Sequence, residues 1–565
     1  MKLIIREYLA SLREREELDA VLPDLLSELG FTVYSRPRRG TTQHGVDVAA
    51  VSPTEAGAQR LYLFSLKKGD LTRQDWDGTP QALRSSLNDI QDTYIQSHIP
   101  PEYAHLGITI CICFGGEMHE NVRANVTGYI QLHTTDRIKF EEWNGDKLAG
   151  MLLAGILRED LLPRHLRSNF QKAVALLDEA DTAYRYFAFL AKDVLGTAKD
   201  GPSRLRAARQ LYICLWIMFV WGRDIGNVEA PYRASELAIL TIWEMSKPLL
   251  TDKGRLRNDM LQVVTQCVQV HLSIAAELLE KKVAPHVKTL DGLALAVRSQ
   301  SSVDVSLKLF DLLGRMSLAG LWLDHLGQSR SGTEPRTPVE GATKFCEMAM
   351  SMIENNSTLL LPAADEQATD IALFLMLCVR SEIHPDRPIA WLEAMVDRYE
   401  FSVLTGGRYP AVFNEYRRLI DHPSERSQSY FEEATRGSTL IPLLAAWTTG
   451  LGRLDLVSRL SKLTEEKFRH CNMQSWLPDE TSEEHLYLGS EHHGVAISDI
   501  PITEDGIELL KTINDACEHE KAIENLSPMN TTFWPIILIA CRHWRLPIPP
   551  WFWIKSLVGM PEEHH

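Results

Sequence analysis

Asp47 is a carboxylate set between Val46 and Val48, in the stretch FTVYSRPRRGTTQHGVDVAAV from Phe31 to Val51. A charge inside an apolar run is costly unless it meets a cation or a well-placed donor. The next apolar run, RLYLFSLKKGD from Arg60 to Asp70, brings a candidate partner. Strand alternation there places Leu61, Leu63, Ser65 and Lys67 on one face and Tyr62, Phe64, Leu66 and Lys68 on the other. If the two runs pair, Asp47 holds a divalent metal while Lys67 orients a water or stabilises charge developing on a phosphate, as phosphodiester hydrolysis requires. The competing reading of Asp47 and Lys67 is a buried ion pair, an arrangement that seldom favours stability by itself.

Around this pair lie residues suited to nucleic acid. Arg36, Arg38, Arg39, Lys67, Lys68 and Arg73 form a local concentration of positive charge, against a formal net charge of -16 for the whole chain. Coating nucleic acid by bulk electrostatics is thereby excluded, and any phosphate contact must be local. Gln43 can orient a ligand or cap a turn, and His44, beside Gly45, can approach a phosphate or face solvent. Asp70, Asp75 and Asp77 follow the Lys67 run and can either bind metal or be ordinary acidic loop residues. His485, His492 and His493 have no metal-ligand spacing.

The elements that must position these groups follow from periodicity. Leu9, Leu12, Leu18, Val21, Leu22, Leu25, Leu26 and Leu29 recur at helical spacing, with Pro23 as a kink and Gly30 as a stop. Strands are expected over Phe31 to Tyr34, Gly45 to Val51, Leu61 to Lys67, Gly107 to Phe114, Tyr129 to His133 and Arg137 to Trp143, with a polar helix from Gln81 to Gln96. Alternating helices and strands make this an α/β region. Its boundary is placed near Asp160.

Helix, LGF, a strand bearing QHGVDV and a second strand ending in Ser-Leu-Lys together resemble the PD-(D/E)xK restriction-endonuclease-like superfamily, in its Mrr-like branch. Gln43, Gly45, Asp47 and Lys67 match that branch's Gln-x-Gly-(Ile/Val)-Asp and Gln-x-Lys. The resemblance covers about the first quarter of the chain. It implies a central mixed sheet flanked by helices over residues 1–160, and Mg²⁺- or Mn²⁺-dependent cleavage of nucleic acid, DNA favoured over RNA. Asp47, Ser65 and Lys67 would be the catalytic group. The family adds a carboxylate from the preceding helix; among Glu14, Glu16, Glu17 and Asp19, Glu17 is the metal ligand expected, about three turns before Gly30. Gln43, His44, Arg38, Arg39 and Lys68 would contact nucleic acid. At Ser65 the chain departs from the family, which places Asp, Glu or Gln there. Magnesium can be held by one or two carboxylates with waters. The departure also supports a second reading, a nuclease fold that has lost its chemistry and serves as a partner-binding scaffold.

Residues 161–565 carry helical periodicity over Phe170 to Leu195, Leu205 to Trp221, Ala234 to Leu249, Arg255 to Leu279 and beyond, so a large all-α region is expected. Gly327 to Gly341 reads as a linker, which divides this region near 328–341, and Pro478 to Glu504 as a second loop. The aromatic stretch Asn530 to Trp553 either closes a helical stack or presents a surface. Nuclease domains fused to helical regions resemble regulated effectors of bacterial antiphage defence, which implies a protein partner or trigger; two-strand cutting by such nucleases implies a homo-oligomer. The nine cysteines show neither zinc nor disulfide spacing, and Met1 opens no leader, so a reducing cytoplasm is expected. The longest apolar stretch, Leu211 to Trp221, is far short of the roughly 20 residues of a membrane span. GxxxxGK[ST], GxSxG and HExxH motifs are absent, against nucleotide hydrolysis through a phosphate loop, esterase and metalloprotease chemistry.

Overall fold

A computed structural model describes residues 18–35, 44–53, 59–155, 164–297, 299, 301–331, 339–381 and 383–558, together with Arg6 and Leu9. The chain divides into two compact units, residues 1–238 with 251–267, and residues 239–250 with 268–565. The expected boundary at Asp160 lies outside the described residues.

The first unit opens with helix α1 (Asp19–Glu28), which ends as its sequence dictates. Gly30 adopts φ 82°, the Gly30 amide donates to Ser27 O at 3.1 Å, and the Phe31 amide donates to Leu26 O at 2.9 Å. This paired closure needs a left-handed residue after the helix, which glycine supplies without a Cβ penalty. Strands β1 (Thr32–Ser35), β2 (Val48–Val51) and β3 (Arg60–Lys67) then form an antiparallel meander. Helices α2 (Arg73–Asp77) and α3 (Leu83–Asp89) carry the chain to β4 (Gly107–Phe114), parallel to β3; α3 continues through a π-turn, Ile90–Tyr94. Helix α4 (Glu120–His133) leads to β5 (Ile138–Trp143), parallel to β4, and α5 (Gly145–Gly155) follows. The result is a mixed five-stranded sheet in the order β1-β2-β3-β4-β5 with flanking helices.

Both faces of the sheet are covered, so its central strands read as near-continuous apolar runs. On one face Leu61, Leu63, Ile108, Ile110 and Ile112 pack against Trp76, Leu83, Leu87, Val122 and Val126 from α2, α3 and α4. On the other, Trp143 meets Phe64 with ring centroids 4.9 Å apart. Lys147 of α5 bonds Glu141 of β5 at 2.9 Å there and lies 4.8 Å from the Trp143 ring centre.

Three expected elements differ. Tyr129 to His133 is no strand but the last turns of α4: Val122, Val126 and Tyr129 are its buried stripe at helical spacing, and the β-favouring Tyr-Ile pair gives way to that packing. The helix expected over Phe170 to Leu195 is broken into α6 (Arg164–Ala175) and α7 (Ala180–Thr197). The strand expected from Gly45 starts only at Val48, because His44 and Gly45 both turn through left-handed backbone. Helix α8 (Gly201–Asp224) is buried nearly all round over Leu205–Val220, as its apolar run predicts, and Asp200 caps it by accepting from the Ser203 amide at 2.8 Å. The division between the units falls within α9 (Glu229–Ser246) and α10 (Arg255–Leu278).

The second unit is mainly helical, with α11 (Ser302–Ser331), α12 (Glu340–Asn355), α13 (Ala368–Arg380), α14 (Asp386–Thr405), α15 (Leu440–Gly450), α16 (Leu454–Lys467), α17 (Ile507–His519) and α18 (Pro535–Trp544). It is not purely α: Gly437–Ser438 pairs with Asn472–Met473, and Ser475–Leu477 with Val495–Ile497. The second of these pairs lies partly within the expected loop Pro478 to Glu504. Of the linker expected over 328–341, residues 328–331 are the end of α11, and 332–338 lie outside the described residues. The aromatic tail closes the helical packing: Trp553 lies 6.1 Å from Trp447, Phe533 5.7 Å from Trp243, and Trp534 5.5 Å from Phe552, between ring centres. A buried charge network joins three helices, with Asp311 of α11 receiving Arg315 at 2.8 Å and Arg542 at 2.5 Å, and Asp370 of α13 receiving Arg545 at 2.7 Å.

His422 in this unit yields a pH prediction. Its buried ring meets the Tyr409 carbonyl through Nε2 at 2.9 Å and the Tyr430 hydroxyl through Nδ1 at 3.0 Å. A carbonyl can only accept, so Nε2 carries the proton and neutral Nδ1 accepts from the tyrosine. Burial lowers the imidazole pKa from 6.5 to about 4. The unfolded chain therefore binds a proton that the folded one refuses. The stability of this unit is full above pH 6.5 and falls as the pH drops towards 4, by about 2–3 kcal/mol. Urea titrations across that range should show a shallower decline in His422→Gln, which keeps a donor and an acceptor and does not titrate; identical slopes would refute the assignment.

Candidate active site

The carboxyl end of β3 carries Ser65 and Lys67 and lies beside Asp47. Val48 pairs with Phe64 in the antiparallel β2–β3 ladder, so continuing the register sets Asp47 across from Ser65. Asp47 is not within the strand, however; it occupies a bend just before β2. Its amide donates to Phe64 O at 2.8 Å, and its Oδ2 accepts from the Leu66 amide at 2.8 Å. The side chain thus takes a place in the ladder that a backbone carbonyl would otherwise fill. Val46 enters the same core face as Ala49 and Val51, an odd-numbered offset that strict alternation forbids and the bend permits.

Ser65 is 1% exposed, and its hydroxyl has no hydrogen-bond partner among the described residues. A buried hydroxyl left without a partner costs free energy. Lys67, two residues on and on the same face, is half-buried and donates from Nζ to Gln81 O at 3.1 Å, in the loop between α2 and α3. Parallel pairing with β4 places Cys113 beside Leu66. Burial, with the nearby Asp47 carboxylate, pushes the Cys113 thiol well up, so it is inert at neutral pH.

The turn before Asp47 is built by close packing. His44 and Gly45 have φ 46° and 78°. A Cβ on Gly45 would stand 2.1 Å from Ser86 O in α3. The His44 ring centre lies 4.6 Å from that of His98, which in turn stacks 5.6 Å from Tyr94. His44 is therefore half-buried rather than turned wholly to solvent. Lys68 is exposed. Glu17, Gln43, Arg38 and Arg39 lie outside the described residues.

Asp75 and Asp70 have structural partners. Asp75 forms a reciprocal cap with Thr72 at the start of α2. Asp70 accepts from the Glu117 amide at 2.8 Å and faces His119 at 3.5 Å. His485 and His493 stack at 6.3 Å, with His493 bonded to Ser482 at 3.0 Å. Among the described residues, no three histidine, cysteine or acidic side chains converge as a metal site.

Two features escaped the sequence reading. Asp24 is a buried carboxylate of α1, amid Leu22, Leu25 and Leu26. The argument that singles out Asp47, a charge on an apolar stripe, finds it too. Glu141 accepts from Trp143 Nε1 and Lys147 Nζ, each at 2.9 Å. Burial pushes its carboxyl up, but those hydrogen bonds and the Lys147 charge outweigh it and hold the group below the usual range. This cluster lies on the sheet face away from Lys67, where it ties β5 to α5.

Comparisons of the chain with family models, characterised proteins and solved structures return no match. Among the described residues, no helix is long and apolar enough to cross a membrane.

Proposed function

We propose that residues 1–160 are a PD-(D/E)xK-type nuclease domain of the Mrr-like kind, which hydrolyses phosphodiester bonds of nucleic acid, DNA before RNA. The observation that carries this reading lies at the end of β3: the register sets Asp47 across from Ser65, whose buried hydroxyl has no hydrogen-bond partner among the described residues, with Lys67 two residues on along the same face. Oxygen donors of this kind fit a hard divalent cation, Mg²⁺ or Mn²⁺, which would be held by Asp47, Ser65 and Glu17. Such an ion supplies Lewis-acid stabilisation of phosphate charge and a more acidic water. Lys67 contributes a fixed ammonium that neutralises charge developing on the phosphate. Lys68, His44, Gln43, Arg38 and Arg39 provide the local contacts an acidic chain needs.

The resemblance to nuclease–helix fusions supports a further role as a regulated effector of antiphage defence in the cytoplasm, in which the helical region answers a trigger or partner and two copies cut two strands. A second reading, the scaffold without chemistry, is favoured by serine at position 65, where the family has a stronger ligand. The test is cleavage of supercoiled DNA, single-stranded DNA and RNA in Mg²⁺ and Mn²⁺ by the native chain and by Lys67→Ala. Cleavage that falls at least about 100-fold in the variant is expected. Equal cleavage by both would remove Lys67 from the chemistry, and none by either would favour the scaffold.

A further inference from the structure

Cys346 and Cys378 differ from the other seven cysteines of the chain in touching one another. Their sulfurs are 3.8 Å apart, one on α12 and the other near the end of α13. Cys346 is buried, while Cys378 is partly open to solvent, which gives a small reagent a way in. Cys111 and Cys113, the closest pair in sequence, are both fully enclosed within β4. The surroundings of the helical pair are polar on one side: Arg387 lies nearby, held by Glu347 at 2.7 Å and Glu354 at 2.8 Å.

We propose that Cys346 and Cys378 form a redox-responsive dithiol, which a peroxide converts reversibly into an intrachain disulfide joining α12 to α13. The bond requires the sulfurs to close from 3.8 Å to about 2.05 Å. The hydrogen bond between the two sulfurs lowers the Cys346 thiol, opposed by burial and aided by Ser381 and Arg387, while burial and the Cys346 sulfur push Cys378 up. One sulfur reacts as thiolate and the other resolves.

In the first step the thiolate of one of the pair attacks one peroxide oxygen, the O–O bond breaks, and the departing hydroxide takes up a proton to become water. The sulfur is left as a sulfenic acid. In the second, the other sulfur attacks it, the S–S bond forms, and the sulfenic oxygen leaves as water with the proton of that second thiol. Two thiols are oxidised by two electrons and one peroxide is reduced to two waters. A thiol reductant reverses the change by exchange.

The experiment treats the full native chain with hydrogen peroxide, quenches it in acid, alkylates it after denaturation and maps the peptides. Cys346 and Cys378 should leave the alkylated pool together, roughly tenfold faster than the other cysteines. They should reappear as one linked peptide pair, and dithiothreitol should restore both. In Cys378→Ser the linked pair should vanish and Cys346 should instead trap dimedone as a sulfenic acid. Should that variant fail to fold, the native measurement decides alone. If both residues stay alkylatable at a peroxide dose that fully oxidises added glutathione, or if either is found joined to another cysteine, the pair is mere packing and the proposal falls.

Discussion

In Asp47→Asn, metal-dependent cleavage is expected to drop at least about 100-fold with the fold preserved. The asparagine oxygen can still accept the Leu66 amide, which Asp47 Oδ2 now takes at 2.8 Å, and the side chain keeps its volume. The charge is lost and one oxygen is replaced by an NH2 donor while the bond to the Leu66 amide is kept, so stability should stay within about 1 kcal/mol of the native chain. Asp47→Ala is a different experiment. From the sequence it would be expected to remove a ligand and leave the fold intact, but Leu66 is fully buried and its amide would lose its acceptor. That deletion should cost about 1–3 kcal/mol in addition to the activity. Measuring cleavage and the thermal midpoint for both variants separates the two roles of one carboxylate. If the asparagine variant cleaves at the native rate, Asp47 belongs to the ladder alone.

The double role of Asp47 shows where the chain's one-dimensional pattern stops being informative. Alternation along Arg60–Lys67 identifies Ser65 and Lys67 as face-mates, and the near-continuous apolar run Gly107–Phe114 is legible as a buried central strand because both faces of the sheet are covered. Gly30 is legible as a helix stop, since the closing hydrogen bonds need its positive φ. Periodicity carries no information on which backbone amide a side chain meets. The bond from Leu66 to Asp47, the tie of Lys67 to Gln81 and the aromatic stack of His44 on His98 each join residues at least 14 positions apart. Tyr129 to His133 forms helix rather than the expected strand for a related reason: a pair of β-favouring residues outweighs little when Val122 and Val126 already define a helical face. Cys346 and Cys378, 32 positions apart, have no spacing to betray them.

The turn at His44 and Gly45 carries a large expected stability effect in the first unit. Gly45 is a motif residue in the resemblance, and the structure supplies two physical reasons for glycine at this position. Its φ of 78° lies in the left-handed region, which costs an L-residue with a Cβ roughly 1–2 kcal/mol. A Cβ here would also stand 2.1 Å from the Ser86 carbonyl oxygen, a backbone atom within α3 that cannot rotate away. Relief needs α3 or the turn to move, at a cost typical of overpacking, about 1–3 kcal/mol. Gly45→Ala should therefore lose about 2–5 kcal/mol, which for a unit of this size lowers its melting midpoint by roughly 5–15 °C. Because Asp47 is two residues away and held by the same turn, cleavage measured well below the midpoint should fall as well, through displacement of the carboxylate from its place across from Ser65. Ser86→Gly, which leaves the Ser86 carbonyl in place, should not rescue it, since the clash is with backbone. An unchanged midpoint in Gly45→Ala would mean that the close approach of the turn to α3 does not hold in solution, and the placement of Asp47 that depends on it would fall with it.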